Sequence, residues 1–129
     1  MSHAAGDLGR AAEAAAARYL AARGWRILAR NARRRTGEID LVAVDPHGVL
    51  VFVEVRARRA WGPDSGRDRA AESVDERKRR RLIHAARAFL ACRPELLDLP
   101  ARFDVVAVET APSGQPGEFE HLIGAFDLG

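Results

Sequence analysis

The sequence predicts an α/β domain in which a mixed sheet is flanked by helices. Three features indicate this fold class: an alanine-rich segment at residues 8–23, two apolar runs around a tight turn at residues 37–58, and a helix-start pattern at Ser73. They give the order α-β-β-β-α-β, in two or three layers around one core. All 129 residues are expected to form a single domain, with its core at roughly residues 8–126.

Both helices are predicted from composition and end signals. Residues 8–23 are rich in alanine, the strongest helix former. Ser73 begins S-V-D-E, a capping box with Glu76 at the third helical position. The second helix is therefore expected to run from Ser73 to about Cys92, with these side chains facing inward: Val74, Leu82, Ala86, Phe89 and Leu90.

The remaining strands and loops are predicted from alternation and from turn-forming residues. Besides the two central strands, strands are expected at residues 25–30, 103–109 and 119–126. Loops are expected at the basic segment NARRRT (31–36) and at residues 59–72 and 111–117.

The turn between the central strands predicts how their side chains pair. In the segment DPHGV (45–49), aspartate and proline suit a type I turn, and Gly48 suits the left-handed residue of a G1 bulge. Paired positions then sum to 94, so Asp40 is expected opposite Glu54 at one end of the hairpin. The odd positions outside the turn are all apolar and are expected to face a core: Ile39, Leu41, Ala43, Val49, Val51, Val53 and Val55.

The same register places Glu38 opposite Arg56, so four charged side chains share one face. Two opposed carboxylates repel unless a cation neutralises them. A salt bridge to Arg56 or Arg58 would do so, and so would a hard divalent cation, which prefers oxygen ligands. Spacing alone leaves both readings open.

Basic residues are clustered although the net charge is only +3 and the pI about 9.9. Six arginines lie within residues 23–35, and residues 77–81 read RKRRR. Such clusters are typical of a surface that binds a polyanion, and also of a solvated basic face. With Lys78 as the single lysine among 21 basic residues, an arginine here can stand where relatives carry lysine.

Several classes of protein are not indicated. No apolar run approaches the roughly 18 residues of a membrane helix, and the start MSHAAGDLGR lacks the apolar core of a signal peptide. The single cysteine, Cys92, cannot form an internal disulfide, so a cytoplasmic location is expected. The four histidines are isolated, and no phosphate-binding glycine motif is present.

The central motif, G-E-I-D on one strand and V-E-V-[basic] on the next, resembles the PD-(D/E)xK nuclease superfamily. Over roughly residues 9–109 the chain is similar to the YraN-like (UPF0102) bacterial proteins, which themselves resemble archaeal Holliday-junction resolvases. The segments that carry this likeness are GRAAEAAAARYLAARGWRILARNARRRTGEIDLV, VFVEVRAR, ESVDERKRRRL and RFDVVAVE. The resemblance implies a restriction-endonuclease-like core and a metal-dependent endonuclease that hydrolyses phosphodiester bonds. DNA, branched DNA included, is favoured as its substrate, and RNA stays open.

The same resemblance implies the residues of the site. Asp40 and Glu54 would bind Mg²⁺ or Mn²⁺, with the Val55 carbonyl as a further ligand. Glu13 on the first helix would bind the metal directly or through water. A symmetric four-way junction would favour a homodimer with two sites.

Arg56 departs from the superfamily pattern because it occupies the lysine position of the motif. Arginine cannot act as a general base, but it can neutralise charge on a phosphate. Lys78 could supply an amine instead, although a surface lysine is the favoured interpretation. Three functions therefore stay open: an active nuclease, a nucleic-acid-binding protein that does not cleave, and an assembly scaffold.

Phosphates away from the cut are expected to contact basic side chains, which would make binding salt-dependent. The residues expected to do so are Arg30, Arg33, Arg34, Arg35, Arg58, Lys78 and Arg81.

Overall fold

A computed structural model describes residues 4–34, 37–59, 75–110, 113 and 116–126. Its elements, in chain order, are α1 (Ala4–Ala22), β1 (Arg26–Arg34), β2 (Gly37–Val44), β3 (Leu50–Arg59), α2 (Glu76–Ala91), a 3-10 turn (Pro94–Leu96), β4 (Ala101–Thr110) and β5 (Pro116–Phe126). The predicted α/β class with a mixed sheet is confirmed.

The five strands lie in the sheet in the order of the chain, β1-β2-β3-β4-β5. Neighbouring strands are antiparallel except β3 and β4, which are parallel. A parallel pair needs a crossover connection that returns the chain to the same end of the sheet. The segment containing α2 provides this connection, which is why the sheet is mixed.

A helix covers each face of the sheet, so the layers number three. On one face α1 presents small residues and Leu20 to β3 and β4, with this buried set: Ala12, Ala15, Ala16, Leu20, Leu41, Val51, Val53, Val106 and Val108. On the other face α2 packs in a second buried set: Ile39, Val42, Leu50, Phe52, Leu82, Ala85, Ala86, Phe89 and Phe103. The inward side chains predicted for α2 at Leu82, Ala86 and Phe89 are confirmed.

The start of α2 differs from the prediction. The N-cap is Asp75, whose carboxylate accepts a hydrogen bond from the Lys78 N–H at 2.8 Å, and the helix begins at Glu76. An aspartate caps a helix as well as a serine does, and its charge also favours the positive end of the helix dipole. The expected cap at Ser73 and the inward Val74 lie outside the described residues.

The predicted loop at residues 31–36 is wrong over residues 31–34, which extend β1. These residues pair with β2 through Ala32–Ile39, Arg33–Glu38 and Arg34–Gly37. Asn31 takes a positive φ of 54° within the strand, a conformation that asparagine tolerates better than most residues. Strand pairing thus overrides the polar composition that favoured a loop. The other two predicted loops are wrong at Arg59, which ends β3, and at Pro116 and Gly117, which begin β5, and most of their other residues lie outside the described ones.

Neither described helix combines the length and the apolar character that crossing a bilayer requires.

Candidate metal and phosphate site

The hairpin of β2 and β3 adopts the register that its turn predicts. The paired residues run from Val44–Leu50 to Leu41–Val53, and each pair sums to 94. The Gly48 N–H donates to the Asp45 carbonyl at 3.0 Å, and Gly48 has a φ of 86°. The local turn therefore decides which side chains of the two strands are brought together.

Beyond Leu41 and Val53 the two strands diverge. The Val55 N–H donates to the carboxylate of Asp40 at 2.8 Å, so a side chain takes the place of a backbone partner. The expected ladder pairs of Asp40 with Glu54 and of Glu38 with Arg56 are therefore not formed. The divergence opens a gap in which the charged side chains meet from different directions.

The expectation that all odd positions face one core is wrong for Ile39. Ile39 packs with Val42 on the α2 face, whereas Leu41 packs on the α1 face. The change of face falls beside Asp40, across the strand from Asn31 with its positive φ. An irregularity in β1 thus turns β2 locally and leaves Asp40 between the two faces.

Three carboxylates meet at this position. Oxygens of Glu13, Glu38 and Asp40 lie within 4.8 Å of one another, with Glu13 supplied by α1. Burial, and then the nearby charge of Glu54, raise the pKa of Asp40 to about 8. Burial also raises the pKa of Glu13, with a contribution from Glu38. The protein thus places carboxyl groups where their ionised forms are poorly solvated.

Glu54 has a different environment, although it lies beside Asp40. Its Oε2 contacts the Nζ of Lys78 and lies 3.1 Å from Nη2 of Arg56. Glu54 is only 8% exposed, so the two cations compensate the cost of burying its charge. The favoured interpretation of Lys78 as a surface lysine is wrong, because α2 carries it over the open end of the hairpin.

A cleft joins these groups between the hairpin and α2. It encloses about 330 Å³ and is lined by Gly37, Glu38, Asp40, Glu54, Lys78, Arg81 and Leu82. Carboxylates lie on the sheet side and cations on the helix side. Such a cleft can take a metal ion and a phosphate together, since each neutralises the opposite wall.

The basic residues predicted to contact nucleic acid lie in three places. Lys78 and Arg81 line the cleft, and Arg30 is exposed on β1. Arg58 lies elsewhere, with Nη1 2.7 Å from Glu120 and Nη2 3.8 Å from Glu109. The side chains of residues 33 and 34 and all of residue 35 lie outside what the structure describes.

Sequence reasoning missed one residue of the site and one contact within it. Glu38 joins the carboxylate cluster, and its spacing of two from Asp40 along the strand was the available signal. The contact of Lys78 with Glu54 depends on how α2 lies on the sheet, which the helical spacing of Lys78 and Leu82 indicates only weakly.

Comparison with known proteins identifies relatives over most of the chain. Residues 12–108 match the model of a family described as "Uncharacterised protein family UPF0102". A UPF0102 protein of Synechococcus sp. is 42% identical over 125 residues, covering 95% of this chain and 92% of that protein. A UPF0102 protein of Azorhizobium caulinodans is 48% identical over 93% of this chain and 82% of its own. One of Ralstonia nicotianae is 55% identical over 78% of this chain and 76% of its own.

Proposed function

The chain belongs to the UPF0102 family, and from the geometry of its site we propose that it is a metal-dependent endonuclease. Its reaction would be the hydrolysis of phosphodiester bonds in DNA. The observation that supports it most is the two-sided cleft, in which Asp40 lies among carboxylates while Lys78 and Arg81 line the opposite wall. A purely structural cluster would pair each carboxylate with a cation, as happens to Glu54, whereas among the described residues Asp40 has no ion pair with a cation.

The donor set fits a hard divalent cation such as Mg²⁺ or Mn²⁺. Carboxylate oxygens are the ligands that these ions prefer, and Glu13 and Asp40 supply them from two elements. The Oε1 atom of Glu13 is buried and makes no hydrogen bond within the described residues. A bound cation would satisfy this oxygen and offset the burial and the repulsion that raise the pKa of Asp40. Glu54 would complete the set through its second oxygen.

When bound, the ion lowers the pKa of a coordinated water and polarises the phosphate. Lys78, as an ammonium ion, donates hydrogen bonds to a phosphate oxygen as negative charge develops in the transition state. Arg56 contacts the same oxygen of Glu54 as Lys78 does and, as an arginine, stabilises charge rather than accepting a proton. Arg81 binds a neighbouring phosphate and thereby fixes the backbone in the cleft.

Metal binding is the first test. Mn²⁺ titration by calorimetry is expected to show binding to the unmodified protein and at least about tenfold weaker binding to Asp40→Asn. Asp104→Asn is the control, because Asp104 is a buried aspartate that does not line the cleft. Equal affinity in the unmodified protein and Asp40→Asn would remove the metal site and the nuclease function with it.

Cleavage is the second test. With Mn²⁺, the protein is expected to cut a four-way junction or duplex DNA, and Lys78→Ala to lower the rate on the order of 100-fold. Arg56→Lys is expected to retain cleavage, since it keeps a cation beside Glu54. Salt-dependent binding of DNA without cleavage would instead favour a nuclease fold that only binds nucleic acid. Absence of DNA binding at low salt would favour an assembly scaffold.

A further inference from the structure

Gly37 begins the G-E-I-D segment, and its backbone conformation does not call for glycine. Among the described glycines, a positive φ is found at Gly24, Gly48 and Gly124. A Cβ atom at residue 37 would instead lie 3.3 Å from the carbonyl oxygen of Arg81 and 3.6 Å from the Cβ of Ala85. The close approach of α2 to β2 is therefore the reason for a glycine at this position.

The atom that a side chain at residue 37 would meet belongs to the helix backbone. A flexible side chain could turn aside, but a backbone carbonyl moves only with its helix. Ala85 is fully buried, so the helix cannot yield there without disturbing the packed core. Since Arg81 lies one turn after Lys78, a shift of this carbonyl away from β2 also withdraws Lys78 from Glu54.

We propose that Gly37 is a positioning residue: the absence of a side chain lets α2 lie close enough to β2 for Lys78 to reach Glu54. The same approach holds Arg81 over the cleft that Gly37 itself lines. The consequence for catalysis rests on the proposed function, since misplacement by about 1 Å can cost on the order of 100-fold in rate. The placement of Lys78 can be measured without metal or nucleic acid.

The amine of Lys78 provides a direct readout because it is the only lysine in the chain. Limited reductive methylation labels Lys78 and the N-terminal amine, which peptide mapping by mass spectrometry separates. Lys78 is expected to react slowly in the unmodified protein, because its side chain is 30% exposed and contacts Glu54. Gly37→Val is expected to raise the rate about three- to fivefold, to the rate of Glu54→Gln, and Gly37→Ala to raise it less.

Gly9→Ala is the matched control, since a Cβ at Gly9 meets nothing within 4 Å. Gly9→Ala is expected to leave the methylation rate of Lys78 unchanged. The double variant Gly9→Ala, Glu54→Gln is expected to be methylated faster at Lys78 than Gly9→Ala alone. When Glu54→Gln is combined with Gly37→Val, the methylation rate of Lys78 is expected to stay the same, because the contact between Lys78 and Glu54 is already lost in Gly37→Val.

Thermal unfolding followed by circular dichroism shows whether each variant is folded. If Gly37→Val does not fold, Gly37→Ala serves for the same comparison, since it requires a shift of only a few tenths of an ångström. A folded Gly37→Val whose Lys78 reacts at the unmodified rate, and still responds to Glu54→Gln, would overturn the proposal. Failure to bind Mn²⁺ would instead contradict the proposed function and leave the methylation result intact.

Discussion

Asp40 is half-buried and Asp104 is fully buried, and the two aspartates have opposite electrostatic surroundings. Asp40 lies at the open end of the β2–β3 hairpin, where burial and the nearby charge of Glu54 raise its pKa to about 8. Asp104 lies on β4 near the turn of the hairpin, is 0% exposed, and has a lowered pKa. The residue type is the same, so the difference arises from what each carboxylate contacts.

Asp104 is fully compensated by its neighbours. Burial opposes its ionisation, but hydrogen bonds involving His121, Arg102 and the Gly124 N–H outweigh that effect and lower the pKa. Its oxygens lie 2.7 Å from Nε2 of His121, 2.9 Å from Nε of Arg102 and 2.9 Å from the Gly124 nitrogen. Arg102 also contacts Asp45 at 3.0 Å, which ties β4 to the hairpin turn.

The comparison sets a structural carboxylate, Asp104, against Asp40, which we propose as a metal ligand. Where the protein supplies cations and N–H donors, a buried aspartate stabilises the fold. Where it surrounds an aspartate with other carboxylates, the ionised form is destabilised, and a cation from solution can relieve the cost. The following changes test this distinction, from the largest expected effect to the smallest.

Asp104→Ala is expected to lower the free energy of unfolding by about 3–5 kcal/mol, because it leaves Arg102 half-buried without its main partner. Urea denaturation measures the change, and Asp98→Ala, at an exposed aspartate, is the control. A loss below about 1 kcal/mol would show that the hydrogen bonds and ion pairs around Asp104 contribute little to stability.

Asp45→Ala is expected to cost about 2 kcal/mol, since its carboxylate accepts from the N–H groups of His47 and Val49 and from Arg102. Asp45→Asn keeps an acceptor for the turn and should lose about half as much. Equal losses in the two variants, again by urea denaturation, would assign the whole effect to the ion pair.

Asp40→Asn is expected to have the opposite sign and to stabilise the metal-free protein by about 1 kcal/mol at pH 8. A folded pKa above the unfolded value of 3.8 means that stability falls as pH rises from about 4 to about 8. The gain from Asp40→Asn should therefore shrink at pH 5. For Asp104, with its lowered pKa, stability is instead lost as pH falls below about 4.

Saturating Mn²⁺ supplies the corresponding check at pH 8. It should stabilise the unmodified protein more than Asp40→Asn, because at one concentration a ligand stabilises less the protein that binds it more weakly. Thermal unfolding with and without Mn²⁺ measures both, and an equal shift in the two proteins would indicate binding elsewhere.

Local signals in the sequence determined a substantial part of this protein. The turn at residues 45–49 set the hairpin register, and apolar periodicity predicted α2 and most strands, because both depend on neighbours along the chain. That register also predicted that Asp40 and Glu54 lie near each other, although the exact ladder pair is not formed. Backbone geometry within a few residues is sufficient for such predictions.

Only the tertiary structure decided how the site is arranged. The divergence of β2 from β3, the turn of β2 opposite Asn31 and the approach of α2 at Gly37 each depend on contacts between distant segments. These contacts placed Lys78 on Glu54 and added Glu38 to the carboxylates. Side-chain reach and helix packing operate over a few ångströms in space, which spacing along a sequence does not record.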